Sequence, residues 1–152
     1  MSDSYADILN QAWDEIPEPV VLPVGSWLLK GLNASYRPPK DEGKNPHILF
    51  VYEVKEPLND VSDAELAELG DNYDFASNRV FYRMWIENAN DFNSIKRHLA
   101  KHGVDTEGKT VGDSLKGFSG TEVVAYLTQR QFTTAAGDVV EENSATEFAT
   151  AA

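Results

Sequence analysis

Apolar residues alternate along two stretches of the chain, run almost continuously through a third and recur at every third or fourth position in two others, and this pattern predicts its elements. Tyr5, Ile8, Leu9, Ala12 and Trp13 follow a capping serine, Ser2 or Ser4, at helical spacing and predict a short N-terminal helix. Pro17, Pro19 and Pro23 exclude regular helix and lead the chain out extended towards Gly25. Residues 26–37 (SWLLKGLNASYR) read as a first strand, in which Gly31 predicts a bulge or tight bend that lets a sheet curl. A polar loop with three prolines and a glycine, residues 38–46, precedes a nearly continuous apolar second strand over 48–54. Residues 56–77 are an acidic insertion carrying a short helix of its own, with Ser62 as cap, Glu65 three residues on and Gly70 as terminator.

The third strand, residues 79–87, has two distinct faces: Val80, Tyr82, Met84 and Ile86 on one, Arg79, Phe81, Arg83 and Trp85 on the other. Asn90 or Asp91 is expected to cap the main helix, whose stripe is Phe92, Ile95 and Leu99 and whose end is Gly103 after His102. A fourth strand over 121–131 alternates again, Ala136-Gly137-Asp138 supplies a turn, and a fifth strand runs from Val139 to about Phe148. Five strands with a helix between the third and fourth are the order of an OB-fold, a small Greek-key barrel whose second and third strands and one-two and four-five loops face oligonucleotides or oligosaccharides. The chain therefore reads as a mostly β, OB-fold-like domain over 25–149, with a helical and Pro-rich lead-in at 1–24 and a frayed end at 150–152. An α+β sheet packed on one helix is the competing arrangement.

A length of 152 residues suits one domain, and 41% hydrophobic content is too high for a disordered chain. No apolar run is long enough to span a bilayer, and the first residues lack the basic and apolar segments of a secretory signal, so a cytoplasmic location is expected. The absence of cysteine removes disulfides, thiolate metal sites and cysteine nucleophiles together. The net charge of −12 argues against nucleic acid until its distribution is considered. Every base lies between Lys30 and Arg130, whereas residues 57–78 hold six acids and no base. A basic surface can therefore sit inside an acidic molecule.

The enzymatic signals are weak in context. Gly103-Val-Asp-Thr-Glu-Gly108-Lys109-Thr110 meets the phosphate-loop pattern, but it follows a helix instead of a strand and carries Asp105 and Glu107 where phosphate charge would sit. His98 and His102, four apart, could grip a metal from one helix face, yet no third ligand is evident, and a place beside the Leu99 stripe is the ordinary alternative. Ser119 lacks nucleophile-elbow spacing, and the pairs Glu65/Glu68 and Glu141/Glu142 lie in solvated acidic segments. No catalytic residue, metal or cofactor is expected. His47 stands alone. What remains is Arg79, Phe81, Arg83 and Trp85 on strand three, Tyr126 and Arg130 on strand four, and Lys30, Arg37, Lys40 and Lys44 on strand one and its loop. Rings interleaved with cations suit single-stranded nucleic acid, whose bases stack and whose phosphates need positive charge nearby. The alternative buries Phe81 and Trp85 under a helix or the insertion and pairs the arginines with acids.

The approach Leu22-Pro-Val-Gly25-Ser-Trp27, the passage from Arg79–Glu87 into the Phe92–Leu99 helix, Gly103-Val104-Asp105, Leu115-Lys116-Gly117 and the hairpin through Gly137-Asp138 together resemble a family of small phage proteins similar to OB-fold single-stranded-DNA-binding proteins. The acidic insertion, and Phe148-Ala-Thr-Ala-Ala in place of a dense acidic tail, differ from that family. The resemblance implies non-catalytic binding of single-stranded DNA in phage replication or recombination, in the host cytoplasm, with replication or recombination proteins as partners, homo-oligomerisation open and no membrane involved. The rival expectation is an acidic protein-interaction module, either a phage structural or assembly component or an inhibitor of a host protein.

Overall fold

The computed structural model describes residues 21–151. The expected N-terminal helix, together with Pro17 and Pro19, lies outside the described residues. Five strands form one antiparallel sheet in the order β3-β2-β1-β4-β5, namely β1 (Gly25–Arg37), β2 (His47–Pro57), β3 (Arg79–Trp85), β4 (Glu122–Thr133) and β5 (Val139–Thr150). Alternation decides which side faces in. Trp27 and Leu29 of β1, Ile48, Phe50, Tyr52 and Val54 of β2, Val80 of β3, and Val123, Ala125 and Leu127 of β4 are all buried in one core.

The sheet is curled. Among the described residues β3 and β5 are its edges, and they meet through side chains: Phe148 of β5 packs against Tyr82 of β3 with ring centroids 4.7 Å apart and against Tyr52 at 5.8 Å. Bulges produce the curl. The β1–β2 register shifts at Leu28/Leu29 and again between Gly31 and Asn33, and the β4–β5 register shifts between Val124 and Tyr126, where Glu147 adopts a φ of 50°. Gly31 is needed at its bend because a Cβ there would lie 2.7 Å from the Phe118 carbonyl oxygen and 2.8 Å from its ring. Gly31→Ala should therefore cost about 1–3 kcal/mol by forcing Phe118 and its backbone away. A urea denaturation midpoint equal to the wild type would show that the close approach imposes nothing.

Within the acidic insertion, α1 (Asp63–Leu69) is capped by Ser62, whose hydroxyl accepts from the Glu65 amide, and is closed by Gly70 at φ 91°. A 3-10 turn at Phe75–Ser77 follows, and Phe75 stands edge-on to buried Trp27 at 5.3 Å. Asp60 binds the amide and hydroxyl of Ser26, both at 2.8 Å, which pins the insertion over the start of β1. The main helix, α2 (Ala89–Lys101), begins earlier than Asn90 or Asp91 would place it. Its cap is Asn88, and Asp91 serves as the reciprocal partner, accepting from the amides of Asn88 and Glu87. Phe92 is half exposed, and the buried stripe is Ile95, His98 and Leu99. A further short helix, α3 (Val111–Lys116), is capped by Thr110 and was not expected from the pattern. No helix among the described residues is long and apolar enough to cross a membrane.

Candidate nucleic-acid interface

Cross-strand register assembles the outward face of β1, β2 and β3 row by row. Arg37, His47 and Trp85 stand side by side; the next row is Ser35, Leu49 and Arg83, followed by Asn33, Val51 and Phe81, then Lys30, Glu53 and Arg79. The side chains alternate as β3 requires, so Val80 is buried while Phe81 is 49% and Trp85 53% exposed. Such large exposed rings lie away from the core; neither the main helix nor the insertion covers them.

Two clefts meet on this face. The first, about 640 Å³, lies between the loop joining β1 to β2 and the end of β3, and is lined by Arg37, Lys40, Lys44, His47, Arg83 and Trp85 together with Asp41 and Leu49. The second, about 840 Å³, runs along the open seam between the two edge strands, with Arg79, Phe81, Arg83 and Trp85 on one wall and Arg130 and residues 142–146 on the other. Arg83 and Trp85 line both, so the clefts form one groove along β3. None of residues 57–78 lines it.

The cations of the groove differ in how far they are engaged. Arg130 donates to the Glu142 carboxylate at 2.6 Å and lies 5.8 Å from the Phe132 ring centre. Arg79 is 3.9 Å from Glu53 and also bonds the Ala76 carbonyl. Arg37, Lys40, Lys44 and Arg83 form no ion pair among the described residues, which leaves four cations around Trp85 available to an anion. Two residues expected at the interface lie elsewhere. Lys30 lines neither cleft and has Glu53 and Glu122 as its cross-strand neighbours. Tyr126 pairs with Ser26 and Thr146 at the opposite end of β1 from Arg37, and it too lines neither cleft.

His47, which appeared isolated in sequence, belongs to the groove. Its ring lies against that of Trp85 with centroids 4.5 Å apart. Partial burial, then the charges of Arg83, Arg37 and Lys40, hold its pKa below the ordinary imidazole value. The only sequence signal was positional: as the first residue of β2 it must face the last residue of β1 across the hairpin.

His98 and His102 are in the core, each 5% exposed, and Tyr52 links them. The Tyr52 hydroxyl is 2.9 Å from Nε2 of both rings, and His102 Nδ1 is 2.7 Å from the His98 carbonyl. A carbonyl only accepts, so His102 carries its proton on Nδ1 and its Nε2 accepts from the Tyr52 hydroxyl. His98 must then donate Nε2–H to the same hydroxyl oxygen. This ladder needs His102 neutral, while burial disfavours the charged form of His98, and it engages the Nε2 atoms that a metal would use. No group of three potential ligands stands together among the described residues. The stretch from Gly103 to Thr110 follows α2 and opens only the six-residue α3, where Thr110 Oγ1 accepts from the Asp113 amide.

Compared with protein-family models and with curated proteins, the chain matches none.

Proposed function

We propose that this chain is an OB-fold protein of the phage single-stranded-DNA-binding type that holds single-stranded DNA without catalysis along the β3 groove. The observation that carries the reading is the exposed pair Phe81 and Trp85 interleaved with Arg79 and Arg83, beside Arg37, Lys40 and Lys44, which like Arg83 form no ion pair among the described residues. Bases stack on the rings while phosphates take the cations, an arrangement that requires no sequence readout. Supporting the OB-fold reading are the five-stranded curled sheet, the helix between β3 and β4, and a groove built on β2, β3 and the β1–β2 loop. In this reading Arg37, Lys40, Lys44 and Arg83 make the primary phosphate contacts and Trp85 and Phe81 the stacking ones. Arg79 and Arg130 exchange their carboxylate partners for phosphate as the strand enters. Lys30 and Tyr126, outside the groove, serve only a strand that continues around the sheet. Service in phage replication or recombination, with proteins of those processes as partners, is part of the same proposal.

The test is fluorescence anisotropy of a labelled oligo-dT of about 30 nucleotides, longer than the ~4–16 nucleotides one OB domain covers. The four primary phosphate contacts alone give a single-strand salt slope near −2.8, so a fourfold rise in salt should weaken binding by at least roughly 50-fold. Duplex DNA should compete poorly. No binding at low salt would contradict the proposal and favour the acidic interaction module, whose surface would be the base-free insertion around α1.

A further inference from the structure

We propose that His47 is a phosphate contact of the groove that acts in its protonated form, so that strand binding takes up a proton and tightens as pH falls. The inference rests on the strand-binding reading of the groove and adds a contact and its regulation by pH.

The geometry carries it. His47 opens β2 with Arg37 of β1 on one side and Trp85 of β3 on the other. The charged groups lining the same cleft are Arg37 from β1, Arg83 from β3, and Lys40, Lys44 and Asp41 from the β1–β2 loop. Partial burial and these cations, which outnumber the single acid, favour the neutral imidazole in the free protein. A phosphodiester keeps its negative charge throughout this pH range. Lodged among these cations, it cancels much of their field at His47 and offers an oxygen to the imidazolium N–H. The neighbouring indole ring also favours the charged form, since a cation against an aromatic face is attracted by the ring quadrupole.

The sign follows from linkage. A ligand that raises a group's pKa binds tighter when the group is protonated, and each unit of rise is worth tenfold in affinity. His98 and His102 line neither cleft and burial disfavours their charged forms, so they do not supply this dependence.

The experiment compares oligo-dT affinity at pH 6 and pH 8, at constant ionic strength with a pH-insensitive label, for the full-length wild type and His47→Gln. Circular dichroism confirms the fold at both pH values. The wild type should bind ~3–10-fold tighter at pH 6, and the variant should show less than a twofold difference. In parallel, the His47 ring protons followed by NMR should titrate with a higher midpoint when oligo-dT is bound. An equal pH ratio in wild type and variant, or an unmoved midpoint, overturns the role of His47 while leaving the groove as a binding site. Failure of both proteins to bind at either pH overturns the strand-binding reading beneath it.

Discussion

Between pH 7 and pH 4 the fold should lose on the order of 3 kcal/mol or more through its histidine core. Burial, with smaller contributions from His102 and Lys101, holds the His98 pKa at about 3, against 6.5 for a free imidazole. Between those values the unfolded chain binds a proton that the folded chain refuses. Stability from this group is thus complete above pH 6.5, declines as pH falls below it, and levels off near pH 3. At pH 4 the interval amounts to ~2.5 pH units at 1.36 kcal/mol each, or roughly 3 kcal/mol from His98 alone. His102 adds to this in the same direction, its pKa lowered chiefly by burial. Urea denaturation followed at several pH values checks it. His98→Gln, which keeps an N–H for the Tyr52 oxygen, should be less stable at pH 7 but should lose markedly less on acidification. Parallel acid profiles for the two proteins would mean that His98 does not titrate against the fold.

The second large effect is on binding. Trp85→Ala should weaken oligo-dT binding by about 1–3 kcal/mol, roughly 5- to 150-fold, the range for a ring that stacks on a base. Because half of the side chain is already exposed, thermal stability should change little. Arg83→Ala should cost binding as well and lower the salt slope by about 0.7, one phosphate contact. Lys109→Ala, remote from the groove in the segment between α2 and α3, should leave both affinity and slope unchanged. A Trp85→Ala protein that lost stability without a binding defect would place the ring in a packing role and remove the central stacking contact.

The sheet was legible because a strand with one buried face announces itself by alternation. The two faces of residues 79–85 could be separated by inspection, and Gly31 marked the bulge that Phe118 makes necessary. The caps of the insertion helix followed from Ser62, Glu65 and Gly70. Other features depended on three-dimensional closure. Which end of the sheet a residue occupies is set by register and curl, so the pattern could assign Lys30 and Tyr126 to an outward face but not to the groove. His47 was missed for the same reason, since its importance comes from facing Arg37 and Trp85 across two different strands. The start of α2 shifted because Asp91 binds backwards to the cap in place of being it. The six-residue α3 has too few apolar positions to show a period.

Chemical-shift mapping of the amide and indole N–H signals during titration with oligo-dT tests the central claim most directly, because it locates the strand as well as detecting it. The account predicts shifts concentrated at residues 37–47 and 79–85, with the Trp85 indole among the largest and the buried Trp27 indole, bonded to the Pro23 carbonyl at 3.0 Å, unmoved. Saturable binding whose shifts fall instead on α2 and α3, or on the acidic insertion, with Trp85 unaffected, would contradict it.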